Sequence, residues 1–298
     1  MSVRRLHDPL SAFPGFGRLQ VDAGGVSFDG VTGGAGPPLL LLHGYPQTHL
    51  AWRLVAPRLA QAFTVIAPDL PGYGGSRTHA DHPRWSKRRV GDALVAMMAQ
   101  LGHRRFGVVG HDRGARAGYR LALDHPDRVS RYASLAVVPT LEAWEALDMR
   151  RGLANFHWFL LAQPFDLPER LLSADPDAFI EATLARMAGG LDKVDPAALA
   201  AYKAAFGDPA VRHAICEDYR AAAADDLEHD AADRAAGRRL QCPVLVLWPR
   251  TQAGAASPLD LWRRWASDAS GKALEGGHLQ PEQSSEQVVE EVLAFLRR

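Results

Sequence analysis

The sequence predicts an α/β protein with a mostly parallel sheet flanked by helices and a helical cap inserted into the chain. Two patterns predict this class. Short apolar runs typical of buried strands alternate with segments of helical periodicity, as in a parallel sheet covered on both faces. From about Leu141 the strand-like runs stop, and Ala-rich helical segments continue to His229. We therefore expect residues 1–140 and 230–298 to form the core and residues 141–229 to form the cap.

The core elements follow one another along the chain as strand, loop and helix. Each predicted strand is a run of apolar and β-branched residues bounded by glycine or proline. The strands lie in PPLLLLHGYP (37–46), AFTVIAPDLPGYGGS (62–76), FGVVG (106–110), YASLAVV (132–138) and CPVLVLW (242–248). The core helices lie in 87–102, in the segment after FGVVG that ends near 124–129, and in 285–298. Within the cap, DPD, VDP and GDP turns separate the helical segments.

Length, charge and cysteine content limit the class of protein and its partners. A chain of 298 residues suits a large α/β domain with an inserted subdomain. Basic and acidic residues balance at 34 each, which argues against nucleic acid or an anionic membrane as the main partner. Cys216 and Cys242 lie far apart, so neither a disulfide framework nor a zinc site is indicated. No apolar run is long enough for a signal peptide or a membrane span, so we expect a cytoplasmic protein.

The segment GHDRGAR (110–116) lies where a predicted strand ends and a helix begins. It follows the small-x-nucleophile-x-small pattern of a nucleophile elbow, a strained turn in which neighbouring side chains would clash. The central residue is Asp112. A carboxylate in this place attacks carbon and forms an ester that water must then cleave. The helix N-terminus favours the ionised form of that carboxylate. The alternative interpretation is a capped helix with two surface arginines behind the cap.

Two further segments supply the other parts of such a site. EGGHLQPEQ (275–283) places His278 between a glycine pair and the last helix, where a water-activating base is expected. HGYP places the backbone N–H of Tyr45 where it can join that of Arg113 as a donor to an oxyanion. We interpret His111 as part of the scaffold of its motif. These residues imply no metal and no organic cofactor.

With these motifs the sequence resembles the fluoroacetate dehalogenases of the α/β-hydrolase fold. The resemblance covers nearly the whole chain and is carried by HGYPQTHLAWR, APDLPGYGGS, GHDRGARAGYRLALDHP, FHWFLLAQP, CEDYRA and GGHLQPE. The first two motifs also occur in haloalkane dehalogenases and epoxide hydrolases. HDRGAR, together with FHW and DYR in the predicted cap, is much more specific.

The resemblance implies a role for each matching residue. Asp112 would displace halide from a small 2-haloacid, and His278 would activate the water that hydrolyses the ester. Arg113 and Arg116 would bind the substrate carboxylate, since guanidinium groups form two parallel hydrogen bonds to carboxylates. The halide pocket would be formed by His157, Trp158 and Tyr219. The implied partner is a small anionic substrate, and a homodimer is one candidate for the oligomeric state.

The sequence departs from the family pattern at two positions. The acid that orients the base belongs in the strand before the Pro-Thr pair, and aligning SLAVVPT on that segment places Ala136 there. The other customary position follows CPVLVLW, where PRTQAGAAS contains no acid before Asp260, which we assign to a helix. Because loss of the orienter lowers catalysis by about 10^4 in a serine triad, we expect impaired hydrolysis of the ester unless another acid or carbonyl reaches His278. Met187 stands where the family tends to have tryptophan, which predicts a more pliable pocket wall.

Two other functions stay open on the sequence. An epoxide hydrolase uses the same aspartate and histidine with two cap tyrosines, for which Tyr219 and, more weakly, Tyr202 are candidates. That interpretation leaves Arg113 and Arg116 without a role on a neutral epoxide. The second alternative is a catalytically weak protein of the same fold that binds small carboxylates, which the alanine at position 136 favours.

Overall fold

The computed structural model describes residues 9–250 and 257–298 of the chain. The strands in these residues are β1 (Phe16–Ala23), β2 (Val26–Gly33), β3 (Pro38–Leu42), β4 (Thr64–Pro68), β5 (Arg77–Thr78), β6 (Phe106–His111), β7 (Val129–Leu135), β8 (Val244–Pro249) and β9 (Ala269–Leu274). They form one mixed sheet in the order β1-β2-β4-β3-β6-β7-β8-β9, with β5 paired to β2. From β4 to β9 every neighbouring pair along this order is parallel. The carboxyl ends of these strands therefore meet at one edge of the sheet, where such folds place their binding sites.

Helices cover the sheet and continue the chain between its strands. In the core they are α1 (Ala56–Leu59), α2 (Lys87–Gln100) and α3 (Arg113–Asp124). Between β7 and β8 come α4 (Thr140–Glu145), α5 (Met149–Ala154), α6 (Phe156–Leu161), α7 (Leu167–Ala174), α8 (Pro176–Ala188), α9 (Pro196–Phe206), α10 (Pro209–Ala222) and α11 (Asp225–Ala235). The last are α12 (Pro258–Trp262), α13 (Gln280–Gln283) and α14 (Ser285–Leu296). Among the described residues, no helix is both long enough and apolar enough to cross a bilayer.

The five strands expected from the sequence correspond to β3, β4, β6, β7 and β8, which carry the apolar centre of the sheet. The four leucines of β3 are fully buried, and so is every residue of β6. The sequence patterns did not predict the hairpin of β1 and β2 or the edge strand β9. Most residues of β1 and β9 are at least partly exposed. Because edge strands carry few apolar residues, they lack the continuous run by which buried strands are recognised.

The segment between β7 and β8, here called the helical insertion (α4 to α11), contains only helices and their connections within the described chain. Its last helix, α11, extends past residue 229, where we expected the cap to end. This helix is fixed to α3 by buried charges. Nη2 of Arg120 donates to Asp230 at 2.7 Å, and Arg120 also pairs with Asp233. Tyr119 of α3 donates to Asp230 at 2.6 Å. These contacts anchor the insertion over the carboxyl edge of the sheet.

Candidate active site

Asp112 occupies the sharp turn between β6, which ends at His111, and α3, which begins at Arg113. Its φ of 49° lies in the left-handed region, which residues other than glycine rarely adopt. The two glycine positions that flank this turn, Gly110 and Gly114, have no room for a side chain. A Cβ on Gly114 would lie 2.3 Å from the carbonyl oxygen of Leu42. The GHDRG motif thus forms a strand-turn-helix that presents the Asp112 carboxylate at the carboxyl edge of the sheet.

The two carboxylate oxygens of Asp112 have different partners. Oδ1 accepts a hydrogen bond of 2.9 Å from the backbone N–H of Tyr45, whereas Oδ2 lies 3.4 Å from Nε2 of His278. Burial by itself would raise the pKa of Asp112. The interactions with His278, His111 and Tyr45 outweigh burial and hold this pKa well below its usual range, so Asp112 is ionised at neutral pH. The backbone N–H of Arg113, the other expected oxyanion donor, makes no hydrogen bond to this side chain among the described residues.

His278 follows a glycine pair after β9 and is held through its backbone. Its N–H donates to the carbonyl of Met187 at 3.2 Å, and its carbonyl accepts from Nε2 of His111 at 2.8 Å. Burial lowers the pKa of His111 to about 3, so this imidazole is neutral and donates through Nε2. The buried Nε2 of His278 makes no well-aligned hydrogen bond within the described chain. Main-chain contacts therefore place the His278 ring beside Asp112.

Asp112 itself is the one carboxylate of the described residues within ion-pair distance of His278. Ala136 follows β7, is 1% exposed and brings no acid into the site. Asp260 lies in α12, is mostly exposed and pairs with Arg263 at the end of that helix. Residues 251–256 of the loop after β8 lie outside the described residues and contain no acid. The base therefore has no orienting carboxylate in the described part of the chain.

Arg116 is a buried cation without a carboxylate partner among the described residues. It is 4% exposed, and Nη1 donates weakly to the carbonyl of Val138 at 3.3 Å and to Oγ1 of Thr140 at 3.2 Å. Its guanidinium carbon lies 5.4 Å from the centre of the Trp158 ring. Burial, and then the charge of Arg113, lower the pKa of Arg116. A buried guanidinium in this state has donors to offer an anion.

Arg113, by contrast, already has an anionic partner. Its Nε donates to Oδ2 of Asp218 at 2.7 Å, and its Nη2 donates to the carbonyl of the same residue at 2.9 Å. Lys87 forms a second buried ion pair with Asp218, and Tyr73 donates to it at 2.9 Å. Burial alone would raise the pKa of Asp218, but the two cations hold it well below its usual range. Two of the nitrogens of Arg113 are thus committed to α10 of the insertion.

The three expected halide-pocket residues lie together on α6 and α10. The ring of His157 is stacked on that of Tyr45 with centroids 5.5 Å apart, and it meets Tyr219 edge to face at 5.8 Å. Trp158 is adjacent, 6.4 Å from His157 between ring centroids. Burial lowers the pKa of His157 to about 4, so its ring is neutral at neutral pH. His157 and Trp158 line the same cavity as Asp112, and Tyr219 is buried against the ring of His157.

Tyr202 lies in a separate buried cluster. Its hydroxyl donates to Oε1 of Glu282 at 2.8 Å, and Nη1 of Arg53 donates to Oε2 at 2.7 Å. Tyr202 is fully buried and does not line the cavity beside Asp112. The cluster ties α9 of the insertion to α13, the helix that follows the His278 loop.

The cavity beside Asp112 has a volume of about 920 Å³ and lies between the insertion and the sheet edge. Arg116, Ala136 and His278 share its lining with Asp112, as does Met187, the residue expected to form a pliable wall. In the described part of the chain, no group of three or more His, Cys, Asp and Glu side chains could hold a metal ion.

The sequence analysis did not predict the carboxylates that hold the site together. Asp218 lies in the DYR motif, but only its neighbour Tyr219 was singled out. Lys87 is 131 positions away from Asp218 and Arg113 is 105 away, so no local pattern indicates either pair. The buried lysine at the start of an otherwise amphipathic helix, α2, is the one signal that could have indicated a buried acid.

A doubly flanked parallel sheet with a carboxylate on its strand-helix elbow defines the α/β-hydrolase class. A family model of the alpha/beta hydrolase fold matches residues 37–275, and the chain belongs to this family. Within it, the chain is 46% identical to a fluoroacetate dehalogenase from Burkholderia sp over 238 residues, 78% of each sequence. The resemblance inferred from the motifs is therefore confirmed, and the match supports a hydrolase.

Epoxide hydrolases are also among the relatives. A soluble epoxide hydrolase from Corynebacterium sp. (strain C12) is 30% identical over 269 residues, 89% of this chain and 92% of its own. Among solved structures, a point mutant of a provisionally assigned epoxide hydrolase from Pseudomonas aeruginosa, with bound MFA, superposes with a TM-score of 0.93. It is 52% identical and covers 96% of this chain and 97% of its own.

Proposed function

We propose that the protein is a hydrolytic dehalogenase of fluoroacetate type, which converts a small 2-haloacid to the 2-hydroxy acid and halide. The observation that carries the proposal is the presence of three groups in one cavity: the ionised Asp112, His278 at 3.4 Å, and the guanidinium of Arg116, which has no carboxylate partner among the described residues. An anionic nucleophile needs a cation to hold an anionic substrate against it. The insertion contains the expected cap, residues 141–229, which closes this cavity.

In the first half-reaction Oδ2 of Asp112 attacks C2 of the acid. A carbon–oxygen bond forms, the carbon–halogen bond breaks, and the halide leaves with the electron pair. Arg116 binds the substrate carboxylate, and Arg113, two of whose nitrogens bind Asp218, contributes the rest of its guanidinium. The halide departs toward His157, Trp158 and Tyr219. Because halide charge develops as the bond breaks, N–H and O–H donors there accelerate this step.

In the second half-reaction water attacks the ester carbonyl of Asp112 and transfers a proton to His278. The oxygen that becomes the ester carbonyl is Oδ1, which the Tyr45 amide already contacts at 2.9 Å. This amide and that of Arg113 stabilise the oxyanion. The acyl–oxygen bond then breaks, His278 returns the proton to the leaving 2-hydroxy acid, and Asp112 is regenerated. Because no described acid orients His278, this is the slower half-reaction.

The epoxide hydrolase alternative has less support from the site. That reaction needs two tyrosines to protonate the epoxide oxygen, and the hydroxyl of Tyr202 is committed to Glu282 away from the cavity. Tyr219 would act alone. A neutral epoxide also gives no role to the unpaired cation of Arg116.

Halide release from fluoroacetate, chloroacetate and 2-chloropropionate tests the proposal, with styrene oxide as the epoxide substrate. We expect halide release by the wild-type protein and a loss of about 10^4 or more in Asp112→Asn. Asp260→Asn is the matched control, since Asp260 is an exposed acid of α12 that pairs with Arg263, and we expect this variant to keep wild-type activity. Diol formation without halide release would establish the epoxide hydrolase instead. Binding of chloroacetate without release of chloride would indicate the carboxylate-binding protein.

A further inference from the structure

The cavity beside Asp112 carries more positive charge than a small monocarboxylate needs. Among the described residues, its lining includes four cations, Arg116, Arg151, Arg186 and Lys193, and two carboxylates, Asp112 and Glu142. Glu142 is already neutralised, because Arg264 donates to it at 2.9 Å and Trp265 donates at 3.1 Å. The mechanism proposed above uses Arg116 alone among these cations. The other three have no function in it.

These three cations, here called the outer cations, are Arg151, Arg186 and Lys193. All three are exposed and come from adjacent elements of the insertion. Nη1 of Arg186 donates to the carbonyl of Ala154 at 2.9 Å, which joins the end of α8 to the end of α5. Arg151 lies in α5 itself, and Lys193 follows α8 in the short 3-10 helix Leu191–Lys193. They therefore surround one side of the cavity mouth.

No acid of the described residues forms an ion pair with an outer cation. Nη1 of Arg151 donates to the carbonyl of Ala146 at 2.7 Å, and the two hydrogen bonds of Arg186 are also to carbonyls. The guanidinium carbon of Arg186 also lies 4.8 Å from the centre of the Phe156 ring, a contact that leaves its charge without an acid. The acids nearest in sequence are Asp148 and Asp192. Asp148 caps α5 by accepting from the backbone of Arg151 rather than from its side chain. The positive charge at the mouth is thus available to a ligand.

The size of the cavity supports a ligand that reaches this mouth. Its volume of about 920 Å³ is at the upper end of the roughly 300–1,000 Å³ that accommodates drug-sized ligands. A haloacetate has only a handful of heavy atoms and would occupy a small part of it beside Asp112 and Arg116.

We propose that the outer cations form a second anion subsite, and that the preferred substrates are 2-halo dicarboxylic acids. Arg116 binds the carboxylate next to the halogen, and the outer cations bind the distal carboxylate. The inference rests on the proposed function for the reaction at Asp112 and adds the class of substrate. The same bonds form and break, and the product is a 2-hydroxy dicarboxylic acid.

The test compares 2-chloroglutarate with 2-chloropentanoate, which has the same number of carbons and lacks the second carboxylate. We expect a ratio of kcat/KM for the diacid over the monoacid above ten in the wild-type protein. An exposed ion pair contributes up to about fivefold to binding, so Lys193→Gln should lower this ratio about fivefold and Arg151→Gln/Lys193→Gln should lower it further. Lys193→Arg, which keeps the charge, should restore most of the ratio.

Arg170→Gln is the matched control. It removes one exposed cation from α7 of the insertion, away from the cavity lining, and should leave the ratio unchanged. If Lys193→Gln lowers the monoacid and the diacid equally, the outer cations only attract anions in general, and the subsite is refuted. A wild-type ratio near one refutes it as well.

Binding calorimetry with glutarate and pentanoate separates this inference from the proposed function, because neither ligand has a carbon–halogen bond. Tighter binding of glutarate that depends on Lys193, without halide release from any substrate, would support the subsite and refute the dehalogenase. Chloroacetate turnover with equal binding of glutarate and pentanoate would support the dehalogenase and refute the second anion subsite.

Discussion

Arg116 and Arg113 stand three positions apart on α3, but the structure predicts opposite effects for their substitution. Arg116→Gln removes a buried cation that makes only weak hydrogen bonds, to the carbonyl of Val138 and the hydroxyl of Thr140. In the described chain this cation has no carboxylate partner. Hydrogen bonds between charged groups contribute about 1.5–3 kcal/mol each, and a guanidinium makes two to a carboxylate. The two bonds together contribute about 3–6 kcal/mol, so we expect kcat/KM for chloroacetate to fall by about 10^2–10^4. Stability should stay constant or rise, because an uncompensated buried charge is removed.

Arg113→Gln is the matched variant, with the same change of side chain one helical turn away. It breaks the 2.7 Å ion pair with Asp218 and leaves that buried carboxylate with one described cation, Lys87, and the hydroxyl of Tyr73. Breaking a buried pair costs about 3–5 kcal/mol, and the remaining lysine favours the lower figure. For a chain of this size that corresponds to a decrease in Tm of about 5–10 °C.

Chloride release and thermal unfolding, measured on both variants, separate the two effects. The reasoning is refuted if Arg116→Gln keeps wild-type kcat/KM for chloroacetate, or if Arg116→Gln is the less stable of the two proteins. Arg116→Lys extends the test. It keeps the charge but loses the planar pair of donors, so its activity should lie between those of the wild-type protein and Arg116→Gln.

Three further predictions concern His278 and the buried histidines. Ala136→Asp should accelerate hydrolysis of the ester by up to about 10^4, since aspartate tolerates the φ of 66° at this position. The rate of ester decay in a single turnover measures this effect. A rate no faster than that of Ala136→Asn would contradict the prediction. His111→Ala should slow decay of the ester without slowing its formation, because the substitution removes the 2.8 Å hydrogen bond to the His278 carbonyl. Equal slowing of both steps would contradict a role of His111 in placing His278. His157, whose pKa burial lowers from 6.5 to about 4, binds fewer protons folded than unfolded between these pH values. The free energy of unfolding should therefore rise with pH across pH 4–6.5, by up to about 3 kcal/mol from this residue. Chemical denaturation of His157→Phe should show a weaker dependence of this free energy on pH. An unchanged pH dependence would exclude His157 as the cause.

The strands and the nucleophile turn could be predicted from the sequence because their signals are local. A buried parallel strand is a continuous apolar run, and the glycines of GHDRG are required by a close approach of backbone to backbone at Gly114. Ala136 was identified as the missing acid position through the family resemblance, because aligning SLAVVPT on the family's segment places it there. Among the described residues, no other acid lies close enough to His278 to replace the missing one.

The contacts that distinguish the two arginines could not be predicted, because they join distant parts of the chain. Nothing near Arg113 in sequence indicates that Asp218 binds it, and nothing near Arg116 indicates that it stays unpaired. The edge strands β1 and β9 were not predicted for a related reason. Their half-exposed residues carry no apolar run, and their pairing depends on strands that lie far away in sequence or across a turn.

The most direct test of the account is intact-protein mass spectrometry after rapid mixing with chloroacetate. Asp112 attacks without help from a base, whereas His278 has no orienting acid in the described part of the chain, so the ester should form faster than it decays. We predict that the protein gains the mass of one carboxymethyl group, that the modification maps to Asp112, and that Ala136→Asp shortens its lifetime. Release of chloride with no modified protein at any time, or a modification on another residue, would contradict Asp112 as the nucleophile.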